Sequence, residues 1–235
     1  MFRECKREYG RWCGLASFLT LFGCASAQDY VDHYAHRSPS LEEFTVCHGY
    51  GCRFRETVRI EPFAWEEVTR LFQPAPATAA EERVRLGRAI ALLEIKIGVA
   101  TGTHTDRAAA DTFGGEPNQL DCIDETVNTT TYLRLLMEHG LMQKHHIGTA
   151  AQRGWVLASF FGSTDFTTNT AVIIDKETRV AFAVDSYFYP NGRPPKIMPL
   201  VEWNKNWRPA PDDPLLLPLL NPLPVFYPDN GPLLM

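Results

Sequence analysis

What the sequence lacks narrows the field first. Basic charge is not in excess: 23 Lys and Arg stand against 28 Asp and Glu, a net charge of −5. The cationic face expected of a nucleic-acid binder is therefore missing, and no nucleic-acid partner is expected. No transmembrane segment is expected in the mature chain either, since the N-terminal apolar run, Leu15 to Phe22, is too short to span a bilayer. Cys47, His48 and Cys52 offer a rival metal reading, but no second C-x-x-C or H-x-x-x-H pair completes it. What is present is a chain of 235 residues, 45% hydrophobic and 22% charged, enough for one domain or one and a half with a sizeable core.

The N-terminus reads as an export signal over residues 1–27. Arg3, Lys6, Arg7 and Arg11 form a basic n-region before the apolar run. Ala25-Ser26-Ala27 is an A-x-A cleavage site that would leave Gln28 first, in a periplasmic or secreted protein. An alternative reading takes Leu21-Phe22-Gly23-Cys24 as a lipobox, with a lipid anchor at Cys24 and an outer-membrane location. Either signal removes Cys5 and Cys13, leaving Cys47, Cys52 and Cys122 in the mature chain, with Cys24 added if it is lipidated. In an oxidising compartment Cys47 and Cys52 form a natural pair around His48-Gly49-Tyr50-Gly51, and Cys122 becomes the odd thiol.

Residues 28–77 read as an irregular lead-in, with a short strand at Arg55 to Ile60 and a short helix at Phe63 to Phe72 behind Pro62. Thr78 followed by Glu81 is a capping box. It opens an amphipathic helix with Leu86, Ile90, Leu93 and Ile97 on one stripe, ended by Gly98. Val99 to Gln119 is a glycine-bearing loop that carries His104. Past residue 150, Trp155 to Phe160, Thr170 to Asp175 and Arg179 to Asp185 read as strands, the last two as an antiparallel hairpin. Residues 204–235 form a Pro/Leu-rich tail, part of which is expected to lie on the domain surface.

The stretch Gln119-Leu120-Asp121-Cys122-Ile123-Asp124-Glu125 begins a further helical period: Ile123, Val127, Tyr132, Leu133, Leu136, Met137 and Leu141. Asp121 is a good N-cap, Asp124 falls in the capping-box position, and Gly140 suits the C-terminal end. Cys122 is then the first helical residue, where unpaired N–H groups and the helix dipole favour thiolate. The flanking carboxylates oppose this, because nearby negative charge raises a thiol pKa. Asn128-Thr129-Thr130 matches a glycosylation sequon but falls inside this predicted helix.

A cysteine-led helix, a strand, and two antiparallel strands ending in an acid together resemble the transglutaminase-like superfamily. Asp121-Cys122-Ile123-Asp124 is similar to the Gly-Asp-Cys-Glu-Asp kind of motif of bacterial transglutaminase-like cysteine proteinases. The resemblance covers roughly residues 80–190. It implies an α+β, papain-like fold with the cysteine helix packed on an antiparallel sheet, the core being 78–203. It implies a hydrolase acting on a peptide or protein substrate of the cell envelope, with Cys122 as nucleophile and Asp185 orienting the base. The family's histidine slot falls on Thr170, so the base is expected from elsewhere, with His104 and His48 better placed than His145 or His146. No cofactor is required. Acids of this motif bind calcium in some relatives, which makes Asp121 and Asp124 candidate Ca2+ ligands beside their capping role. The alternative function is an inactive envelope protein that keeps the fold as a binding scaffold.

Overall fold

The computed structural model describes residues 25–110, 116–154 and 167–218. The export signal, Cys24, the strand expected at Trp155 to Phe160 and the tail beyond 218 lie outside them. The described elements are α1 (Ala27–Tyr34), β1 (Phe44–His48), β2 (Phe54–Val58), α2 (Pro62–Arg70), α3 (Ala79–Thr101), α4 (Cys122–Glu138), β3 (His145–Ile147), β4 (Ala151–Arg153), β5 (Thr168–Asp175), β6 (Ala181–Asp185), β7 (Lys196–Pro199) and α5 (Leu200–Trp203). This is a mixed α+β chain with antiparallel sheets. Among the described residues no helix is long and apolar enough to cross a membrane.

Local chemistry explains the two long helices. Thr78 caps α3 through its hydroxyl while Glu81 reaches back to the cap, as the capping box predicts. The helix runs past Gly98 to Gly102, which takes the left-handed conformation that glycine adopts without strain. Gly98 has a packing role instead, since a Cβ there would stand 3.0 Å from the Asn191 side chain and the His104 backbone. Asp121 caps α4 in the same way, with Asp124 closing its box, and Gly140 follows the C-cap at φ 72°.

The larger sheet has the order β3-β5-β6-β7, with β4 also pairing β5 along the edge that β3 occupies. The β5–β6 hairpin forms as read, Asp175 accepting the backbone N–H groups of Glu177 and Thr178 in the turn. Its register pairs Ala171 with Val184 and Ile173 with Phe182. Ala171, Ile173 and Val184 join Leu133 and Leu136 of α4 and Leu86, Ile90 and Leu93 of α3 in one buried cluster. Odd positions of β5 therefore face the cysteine helix, and even positions face away.

Four strands, β1, β3, β4 and β7, went unread in the sequence. β1 pairs with β2 in the region taken as an irregular lead-in, and β3 and β4 are three residues each, too short to show a period. β3 is pinned by Glu82 of α3, whose buried carboxylate accepts the backbone N–H groups of Gln143, Lys144 and His145 and contacts His145 Nδ1 at 2.8 Å. The start of the tail lies along the domain, with Arg193 donating to the Leu217 carbonyl and Tyr189 to Asp213.

Candidate active site

Cys122 is the first residue of α4 and is partly exposed. Its Sγ lies 3.7 Å from the Thr167 carbonyl and 3.7 Å from Asn169 Nδ2. A neutral thiol has one proton to give and lone pairs to offer. Here the S–H donates to Thr167 and the Asn169 amide donates to sulfur, so both capacities of the protonated form are met. Burial pushes the thiol pKa up; the charge of Asp121 adds to this, as do those of Asp185 and Asp124.

Asn169 reaches sulfur because it shares the inward face of β5 with Ala171 and Ile173. Thr170, which the resemblance sets in the histidine slot, points to the other face. A one-residue slip in a strand exchanges the two faces. The same alternation places Asp185 away from the cysteine helix. Its oxygens accept Trp203 Nε1 at 2.5 Å and the Tyr187 N–H at 3.1 Å, and Arg153 stacks over Trp203 nearby. Burial raises its carboxyl to about 6 against those partners. Asp185 thus belongs to a Trp203–Arg153 cluster, and the structure does not bring it to the thiol as a base-orienting acid. Continuing the hairpin pairing sets Ser186 opposite Asn169, and Ser186 Oγ meets Thr129 Oγ1 of α4 at 3.0 Å.

All seven histidines lie among the described residues, and none hydrogen-bonds the thiol. His104 is exposed, with Nδ1 3.3 Å from the Gly98 carbonyl. His48 bridges the Pro117 carbonyl and Glu56. His145 is held by Glu82 opposite Asp175, six steps along β5 from Asn169, which is about 20 Å at about 3.3 Å per residue. His139 caps the far end of α4 against Trp65.

The loop between the paired cysteines explains where the acids of the motif go. Cys47 and Cys52 form a disulfide. Between them, Gly49, Tyr50, Gly51 and Cys52 all have positive φ, from 58° to 79°, a full left-handed turn. Successive N–H groups in such a turn point to one side and make an anion cradle. Here the cradle is filled from within the chain. Tyr50 and Cys52 N–H donate to the two oxygens of Asp124 at 2.8 and 2.6 Å, and Gly51 N–H donates to Asp121 Oδ2 at 3.1 Å. The other Asp121 oxygen accepts the Ile123 and Asp124 N–H groups. Every carboxylate oxygen of the pair thus accepts at least one backbone N–H, and that bond competes with any cation for the oxygen. The role seen for Asp121 and Asp124 is to cap α4 and to hold the turn. Cys47, Cys52 and Asp124 lie close enough for a metal, but the sulfurs are spent in the disulfide.

A second group of acids lies beneath the site. Glu94 of α3 and Glu125 of α4 line a small internal cavity with Asn128, Thr103 and Asn191. Gly192 N–H satisfies one Glu94 oxygen at 3.0 Å, while Oε1 is buried without a partner. Burial raises Glu94 to about 8 and nearby Asp106 to about 7, and it lifts Glu125 well above the carboxylate range. The folded state holds protons that the unfolded chain releases above about 4.5. Stability from these groups is therefore fully present below that pH and lost as pH rises through 7 to 8. Thermal unfolding is expected to fall in temperature between pH 6 and pH 9. Glu94→Gln, which can still accept from Gly192, should flatten that slope; an unchanged slope would show that Glu94 is ionised throughout.

Comparison with family models, with curated proteins and with solved structures finds no match for this chain.

Proposed function

We propose that this chain is an exported transglutaminase-like protein whose cysteine site has lost hydrolytic chemistry and serves as a binding scaffold for a peptide or protein of the cell envelope. The observation that carries the reading is the environment of Cys122. An asparagine amide and a carbonyl satisfy its thiol, carboxylates surround it, and no histidine hydrogen-bonds it among the described residues. Nucleophilic catalysis by cysteine needs a thiolate and a base within hydrogen-bond reach. The resemblance supports the papain-like arrangement of a cysteine helix on an antiparallel sheet, while the amide at Asn169 supports loss of the base. In the rival hydrolase reading His104 takes that role, but its ring is engaged at Gly98. The basic n-region and the A-x-A site support export.

The deciding measurement is the pH dependence of Cys122 alkylation with Cys47 and Cys52 left oxidised. The thiol is expected to stay inert until well above the free-thiol pKa of about 8.5. Rapid alkylation near neutral pH would mean that a base is in place and would restore the hydrolase.

A further inference from the structure

A groove of about 460 Å3 lies well away from the thiol, where the edge of the larger sheet meets the outer half of α4. It wraps the sheet edge at residues 147–149, between the end of β3 and the start of β4. Ile147 and Met137 give it an apolar floor, Ile174 borders it from the far side of the sheet edge, and Met137 is exposed although it sits on a helix that is otherwise mostly buried. Its rim is cationic: Arg37 from the segment after α1, and Arg134 from α4.

Asp32 offsets part of the charge of Arg134, whereas Arg37 has no acid partner among the described residues. Arg134 is half-buried and spends Nη1 on the Ala35 and His36 carbonyls. Burial lowers its pKa; Asp32 works against that, and the like charge of Arg37 adds to it. Asp32 is itself engaged by the Gln28 amide at 2.7 Å. Arg37 is exposed and makes no ion pair or hydrogen bond among the described residues. Two like charges lining one groove, only one of them offset by Asp32, favour an anion. Guanidinium groups match the planar fork of a carboxylate. The apolar floor asks for an apolar body attached to that anion, of a size that a groove of this volume can take. Because the groove is open to solvent, a long alkyl chain would stay largely in water, whereas one apolar side chain and a short length of backbone would fit.

We propose that this groove captures the free C-terminal carboxylate of a peptide ending in an apolar residue, the carboxylate on Arg37 and Arg134 and the side chain on Ile147 and Met137. The site is separate from Cys122 and does not depend on whether that thiol is active.

The test is fluorescence anisotropy of dansyl-Ala-Leu against its C-terminal amide on the purified protein. The acid is expected to bind saturably and about tenfold more tightly than the amide, the worth of a charged hydrogen bond. Raising salt should weaken the acid alone. Arg37→Ala, at an exposed position, should remove the preference for the acid without changing the unfolding temperature, and Arg37→Lys should restore part of it. Cys122→Ala should leave binding unchanged, which separates this site from the thiol. Equal binding of acid and amide, no saturable binding up to millimolar peptide, or an Arg37→Ala protein that still prefers the acid would each overturn the proposal. Competition by decanoate as strong as by the peptide acid would also overturn it, in favour of a fatty-acid site.

Discussion

Asn169→His is expected to speed iodoacetamide alkylation of Cys122 at pH 7 by about tenfold or more, since each unit of thiol pKa lowered multiplies the thiolate fraction by about ten. The side chain at 169 already faces sulfur at hydrogen-bond range, so imidazole there could accept the thiol proton that now goes to Thr167. Alkylation should rise without hydrolysis. Asp185 is tied to Trp203 on the other face of the sheet, and the residue beside position 169 on the inward face is Ser186. Adding Ser186→Asp should raise reactivity further by holding the imidazolium. Thermal unfolding of each variant checks that the fold survives, because Asn169 is only 3% exposed. A well-folded Asn169→His protein that alkylates no faster would show that the carboxylates around Cys122, rather than the missing base, keep the thiol protonated.

Removing the Cys47–Cys52 disulfide by Cys47→Ser with Cys52→Ser should lower stability by about 2 kcal/mol from chain entropy alone, given the short loop it closes. The measured loss should exceed that. Tyr50 and Cys52 hold left-handed backbone conformations that L-residues avoid by about 1–2 kcal/mol each. Once the clasp opens, the turn can relax and withdraw its N–H groups from Asp121 and Asp124. Buried carboxylates without donors are costly, so α4 should fray from its Cys122 end. Denaturant midpoints, with hydrogen exchange at Ile123 and Asp124, would report both effects. A loss confined to the entropic figure, with α4 amides still protected, would mean that the turn holds without the sulfur bridge.

The legible parts of the sequence were those fixed by residues three or four apart. Thr78 with Glu81 and Asp121 with Asp124 announce their helices because the capping partners are neighbours. The β5–β6 hairpin shows because two apolar runs flank a short polar turn. The site itself was less legible. Whether Thr170 or Asn169 faces the thiol depends on strand register, which pattern alone fixes only to within the one residue that exchanges the faces. The resemblance implies that Asp185 orients the base, and the alternation of β6 sets it on the face away from the cysteine helix. Nothing local says that Asp121 and Asp124 meet N–H groups from residues 50–52, so their second role beside capping leaves no sign in the sequence. The Arg37–Arg134 groove joins segments nearly a hundred residues apart and leaves no mark in sequence spacing.

The left-handed turn also bears on how the chain sorts its thiols while it folds. Cys122 ends up as a free neighbour of the structure that the Cys47–Cys52 bridge supports, so among the described residues three thiols compete for one bond during oxidation. Sequence distance decides in favour of the observed pair: it spans 5 residues, whereas Cys122 lies roughly 70 residues from either partner. That difference in loop closure favours the short pair by about 2 kcal/mol before any tertiary structure exists. The bridge can therefore form early and locally, and it leaves a ready-made anion cradle waiting for the helix start. Docking of Asp121 and Asp124 then completes the site and withdraws Cys122 as a thiol that is poor at attacking disulfides. The order of events protects the pairing twice, first by proximity and then by chemical silence.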